Sequence, residues 1–184
     1  MKASQNPYRV QRLEELLKYE PELMGSNWEE IEQALSVGSG AVVGCKGSGK
    51  TSLLEAYAAR IEESVNVKMW RLQEDSVAGK ILNEVEDWLA SGDLAIVDSA
   101  GLLNFWQARR LRQLARRKKV IVSLHVPSRY WKTLWECQSN ADLLSKLNCR
   151  LGQGELETED AQKLLHACDG NIRSCFHTLY DAIS

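Results

Sequence analysis

Residues 44–51 read GCKGSGKT, and this stretch decides the fold. Gly44, Gly49, Lys50 and Thr51 occupy every fixed position of the GxxxxGK[ST] phosphate loop. AVVG (41–44) before it is a short apolar strand. TSLLEAYAARIEES (51–64) after it spaces Leu53, Leu54, Tyr57, Ala58 and Ile61 as one helical face. A glycine-rich turn between strand and helix lets successive backbone N–H groups point at one phosphate, and the helix N-terminus adds partial positive charge. The candidate phosphate-binding residues are Gly44, Cys45, Lys46, Gly47, Ser48, Gly49, Lys50, Thr51 and Ser52. Lys50 is expected to reach the β- and γ-phosphates, and the Thr51 hydroxyl to ligate Mg²⁺.

Working outward, LAIVD (94–98) is a continuous apolar run ending in an acid, the pattern of a strand buried on both faces of a parallel sheet. Asp98 is therefore the expected carboxylate of the Mg²⁺ shell, beside Thr51. Ser99 stands where many phosphate-loop ATPases carry a glutamate that orients the attacking water, so slow turnover is expected. Glu74 in RLQED is either a substitute for that acid or a solvated loop residue. Asp98-Ser-Ala-Gly101 also matches the DxxG loop of switch GTPases, but no NKxD-type segment follows SLHVPS (123–128). ATP is thus the expected nucleotide. A GTP-binding switch and a non-hydrolysing, nucleotide-bound interaction module remain as alternatives.

Elsewhere the periodicity predicts helices over 7–19, 27–36, 76–91 and 103–117, and strands over 65–72 and 119–125. Residues 131–147 read as helical in pieces, and 148–153 as a last short strand. The tail, TEDAQKLLHAC (158–168) and IRSCFHTLYDAI (172–183) around a DGN turn, reads as a helical hairpin too small to fold alone. Alternating strands and helices predict an α/β fold: a three-layer phosphate-loop sandwich on a parallel sheet, with a small C-terminal helical lid. The expected division is residues 1–154 for the nucleotide-binding domain and 155–184 for the lid.

The five cysteines are odd in number and lack CxxC spacing, which argues for reduced thiols and a cytoplasmic location. No apolar run approaches a membrane span, and MKASQNPYRV lacks a secretory h-region. The net charge of −2 conceals an asymmetry: nine Lys and Arg and no acid lie between Ser99 and Trp135, leaving all 25 acids with the other 14 bases. On helix 103–117, Arg109, Arg112 and Arg116 share one face, while Leu111, Leu114, Ala115 and Phe105 supply the buried side. That face suits a nucleic-acid backbone, or else a solvated surface whose arginines pair with acids of this chain or of another subunit. Trp131 and Trp135, spaced i, i+4, read as core or subunit contacts.

The loop GCKGSGKT, the strand LAIVD, the strand VIVSLH (120–125) and the turn ACDGNIRS (167–174) together resemble the AAA+ ATPases. The likeness is greatest to their origin-recognition-like and transposition-type branch, and it covers the chain from about residue 27. The resemblance implies a polar residue after the fourth strand that positions the attacking water, here Ser123 or His125, although His125 also reads as a satisfied strand-end histidine. It implies a second sensor, Arg173, reaching the γ-phosphate from the lid; the plainer reading is a helix arginine paired with an acid. It further implies that NPYR near residue 7 lines the adenine pocket, and that a protein partner or further copies of the chain are engaged. Arg129 or Arg150 is then the residue available as an arginine finger. The lid has two helices where three or four are usual, and the glutamate after Asp98 is missing.

Overall fold

The computed structural model describes residues 18–74 and 77–183. The helix expected over 7–19 and the NPYR segment fall almost wholly outside them. The chain forms two compact units. Of the described residues, those within 28–44 and 50–136 make a sheet unit, and 18–27, 45–49 and 137–183 make a helical unit.

The sheet unit holds β1 (Gly40–Val43), β2 (Val67–Arg71), β3 (Leu94–Asp98), β4 (Lys119–Leu124) and β5 (Thr133–Glu136), in the order β2-β3-β4-β1-β5. Every neighbouring pair is parallel. Among its described residues the α-helices are α1 (Trp28–Ser36), α2 (Lys50–Ile61), α3 (Ala78–Trp88) and α4 (Phe105–Ala115). Side chains alternate across a strand, so the sheet has two apolar faces to cover. Ala41, Val43, Ala95, Val97, Val120 and Val122 share one cluster with Leu82 and Val85 of α3 and Leu111 of α4. Their alternates Val42, Leu94, Ile96 and Ile121 are equally buried on the other face, as are Ile31 and Leu35 of α1 and Leu53, Leu54 and Tyr57 of α2. The three-layer α/β sandwich follows. Helix α4 opens with a capping box in which Asn104 and Gln107 satisfy each other's backbone N–H groups.

Two sequence expectations are corrected here. Residues 133–136 form an edge strand, not a helix, and Trp135 lies on β5. TLWE is rich in strand formers, and Gly40 lets it approach β1 closely: a Cβ there would lie 2.6 Å from the Lys132 carbonyl oxygen. Residues 148–150, expected in a strand, instead end helix α5 (Ala141–Arg150). The cap is Asn140, whose side chain accepts from the Leu143 N–H at 2.8 Å.

The helical unit contains α5, α6 (Thr158–Ala167), α7 (Ile172–Ile183) and a 3₁₀ turn, Pro21–Met24. Leu144, Leu147 and Leu151 of the α5 segment share one core with Ala161 and Leu165 of α6 and Ile172, Cys175 and Phe176 of α7. Residues 155–183 thus hold two helices, and among the described residues the core they share is completed by α5. The apolar stripe of the α6–α7 hairpin is covered by α5, and the unit includes residues 137–154. Between α6 and α7 the chain reverses through Asp169 at φ 51° and Gly170 at φ 74°, with the Gly170 N–H donating to the Leu165 carbonyl at 2.8 Å.

Candidate functional site

Strand order positions the chemistry of the sheet unit. β4 lies between β1, which feeds the phosphate loop, and β3, which ends in Asp98. Residues leaving the C-terminal end of β4 therefore emerge between Lys50 and Asp98.

Thr51, in the first turn of α2, donates its hydroxyl to Asp98 Oδ2 at 2.8 Å. Asp98 is 1% exposed, and its Oδ1 accepts the Ser99 N–H at 3.0 Å and the Ser123 hydroxyl. Ser123 Oγ in turn accepts the same Ser99 N–H at 2.7 Å. Ser123 is thus buried and committed to Asp98 and Ser99. Ser99 sits at φ 62°, in the left-handed region, and the clip from Ser123 and Asp98 holds it there. Lys50 is buried; its Nζ donates to the Gly44 carbonyl at 2.7 Å and lies 3.5 Å from His125 Nδ1. The exposed ring of His125 is therefore within reach of the loop lysine.

Arg71, a residue without a motif, joins this group. It ends β2 in register with Asp98, its Nε is 3.4 Å from Asp98 Oδ2, and it also pairs with Glu55 at 2.6 Å. The only sequence signal for it was a basic residue closing a strand. Glu74, three residues further on, is exposed.

The helical unit contains Cys45–Gly49 and the turn that resembles the second-sensor motif. Gly47 and Gly49 adopt φ 78° and 87°. A Cβ on Gly47 would lie 2.1 Å from Asn171 Oδ1, so glycine is required there both by conformation and by space. Cys45 Sγ is 3.8 Å from the Gly170 carbonyl. Asn171 accepts from the Ser174 N–H at 3.2 Å at the start of α7, and Arg173 is exposed in its first turn. Lys46 is exposed and Ser52 half-buried.

These residues suit the magnesium nucleotide that the motif implies. Ser48 Oγ is buried with no hydrogen-bond partner, a polar orphan that a phosphate oxygen would satisfy. Thr51 and Asp98 are hard oxygen ligands of the kind Mg²⁺ takes in twos, alongside phosphate oxygens and water.

The basic segment divides. Arg110 pairs with Glu86 and donates to Asn83 Oδ1 at 2.7 Å, so the acid-paired reading holds for it. Arg109, Arg112 and Arg116 line a cavity on another side of α4. Phe105, expected on the buried side, is 62% exposed and stacks edge-to-face on Trp106. Trp88, in contrast, packs edge-on against Trp70 at 6.3 Å. Arg150 pairs with Glu20 at 2.6 Å, and that hydrogen-bonded guanidinium holds the Glu20 carboxyl below its ordinary range.

Among the described residues no helix is long and apolar enough to cross a membrane. No protein-family model matches the chain, and no curated protein matches it. Among solved structures, the crystal structure of a DNA replication initiation factor matches with a TM-score of 0.53 and 19% identity over 82% of this chain. The chain spans 56% of that protein's length. At this identity the likeness is one of fold, an α/β architecture of the phosphate-loop NTPase kind.

Proposed function

We propose that the chain is a Mg²⁺-dependent ATP-binding protein of AAA+ type, a slow ATPase or nucleotide-gated switch that acts on a protein or DNA partner. The observation that carries this reading is the Thr51–Asp98 hydrogen bond beside a buried Lys50, directly after a loop that meets the whole GxxxxGK[ST] pattern. The loop N–H groups and Ser48 hold the phosphates. Lys50 exchanges the Gly44 carbonyl for phosphate oxygen, and Thr51 and Asp98 hold the metal. Mg²⁺, when bound, neutralises charge on the β- and γ-phosphate oxygens. Its reach to Lys50 supports His125 as the polar residue that faces the terminal phosphate, while Ser123 hydrogen-bonds Asp98 and Ser99 at the turn. Arg173 is assigned to report the γ-phosphate to the helical unit. The fold shared with a replication initiation factor supports DNA as one class of partner.

Slow or absent hydrolysis is favoured by two features: Ser99 carries no carboxylate, and Ser123 is engaged by Asp98 and by the Ser99 N–H. That also supports the second reading, a nucleotide-bound interaction module.

The test is binding and phosphate release with ATP and with GTP, with and without duplex DNA, beside Lys50→Ala. Mg²⁺-dependent ATP binding that weakens at least tenfold in Lys50→Ala is expected. Equal binding by the variant, or a preference for GTP, overturns the reading. Partner binding that survives Lys50→Ala selects the interaction module.

A further inference from the structure

A cavity of about 520 Å³ opens in the sheet unit, away from the Lys50–Asp98 group in the residues that form it. Its wall is Arg109 and Arg112 from α4, Arg116 at that helix's C-cap, and Arg129, Tyr130 and Lys132 from the β4–β5 connection. No carboxylate lines it. Among the described residues the side chains of Arg109, Arg116 and Lys132 make no ion pair or hydrogen bond, in contrast to that of Arg110, which pairs with Glu86. Tyr130 orders two of the remaining cations: the Arg112 and Arg129 guanidinia lie 4.4 and 4.7 Å from its ring centroid, and Arg129 also donates to its hydroxyl.

The hydrogen-bonding inventory of this wall is one-sided. Arg and Lys are donors only, and so is the indole N–H of Trp131, which also lines the cavity. The Ser39 hydroxyl, at the floor, is already spent on the Ala115 and Lys118 carbonyls and the Val120 N–H. The Tyr130 hydroxyl already accepts from Arg129, which leaves Gln113 as the neutral side-chain acceptor still open in the lining. A concave space of this size fits a small ligand, and five cations crowded without a counter-charge call for an acceptor-only occupant of high charge density. Guanidinium forks match phosphate oxygens in pairs. An extended strand, with one charge per nucleotide, offers less charge within such a volume.

We propose that this cavity is a second anion site, separate from the phosphate loop, that takes a compact polyphosphate of two or three phosphoryl groups, either inorganic or carried on a nucleoside.

The test is calorimetric titration of the full chain with inorganic tripolyphosphate and with ATP, both without divalent metal, in the wild type, in Lys50→Ala and in the double variant Arg109→Gln/Arg116→Gln. A tripolyphosphate site that persists in Lys50→Ala and weakens at least tenfold in the double variant is expected. Removing like charges relieves repulsion, so the double variant keeps its fold; Arg112→Lys, which keeps the charge but loses the fork, gives an independent and smaller loss. Equal affinity for both ligands at this site identifies free polyphosphate as sufficient; tighter ATP binding assigns a contribution to the nucleoside against Tyr130 and Trp131. The proposal is overturned by a single site that Lys50→Ala abolishes and the double variant leaves intact. It is equally overturned if the double variant loses binding of a 20-mer oligonucleotide while tripolyphosphate affinity is unchanged.

Discussion

The hydroxyl of Thr51 donates to Asp98 Oδ2 at 2.8 Å, joining residues 47 positions apart in the chain. The same carboxylate takes the Ser99 N–H, the Ser123 hydroxyl and the Arg71 guanidinium, so a single buried acid ties together β2, β3, β4 and the first turn of α2. Under the proposed function such a group serves the fold and the metal together, and its removal is expected to affect both.

Asp98→Ala leaves the Ser123 hydroxyl buried without its acceptor, leaves Ser123 Oγ as the one acceptor of the Ser99 N–H, and removes the partner of Thr51 and Arg71. Loss of charge-assisted hydrogen bonds on this scale costs about 2–4 kcal/mol, to be read from the denaturant midpoint. Thr51→Ala removes one bond only, costs about 1 kcal/mol, and abolishes most of the gain in ATP affinity on adding Mg²⁺. Titrating a fluorescent ATP analogue in Mg²⁺ and in EDTA checks this. An unchanged Mg²⁺ effect in Thr51→Ala contradicts the metal assignment.

Ser99 holds φ 62° without being glycine. A β-branched side chain is the least tolerant of that conformation, so Ser99→Val is expected to cost about 1–2 kcal/mol. Ser99→Gly is expected to cost little, because relief of that strain offsets the added chain entropy. Thermal unfolding of the pair decides it: equal melting temperatures would show that the left-handed conformation is not retained.

Phe176 is fully buried at the centre of the three-helix core, against side chains of α5 and α6. Phe176→Ala is expected to cost about 3–5 kcal/mol and to reduce helical content measured by far-ultraviolet circular dichroism. A variant with unchanged helicity and midpoint would show that α5 does not cover the α6–α7 hairpin.

Burial, and then Cys168 beside it, push the Cys175 thiol up to about 12 from an ordinary 9.0. The folded chain thus binds this proton more tightly than the unfolded chain does. The stability it contributes is complete below about pH 9 and is lost as pH rises from there toward 12. At pH 8 an aromatic disulfide reagent is expected to label exposed Cys45 and Cys149 quickly, and to reach Cys175 only on unfolding. Rapid labelling of Cys175 in the native protein would contradict its burial.

The sequence by itself determined the elements whose signals are local. The phosphate loop needs its glycines and its Lys50-Thr51 pair in consecutive order. The run LAIV declares a doubly buried strand, and Asp98 closes it; helical spacing located α1, α2, α3, α4, α6 and α7. Only tertiary structure decided the rest. TLWE became a strand because the open edge of β1 and the bare Cα of Gly40 accepted it, a partnership that no window of residues 131–147 contains. Helix α5 joined the helical unit because Leu144, Leu147 and Leu151 found Leu165 and Phe176 across a loop. Arg71 reached Asp98 through parallel register, and Arg129 and Lys132 met the arginines of α4 through a chain reversal. Local chemistry is written along the chain, whereas pairing across strands and helices depends on which surfaces are left uncovered once the neighbouring elements have formed.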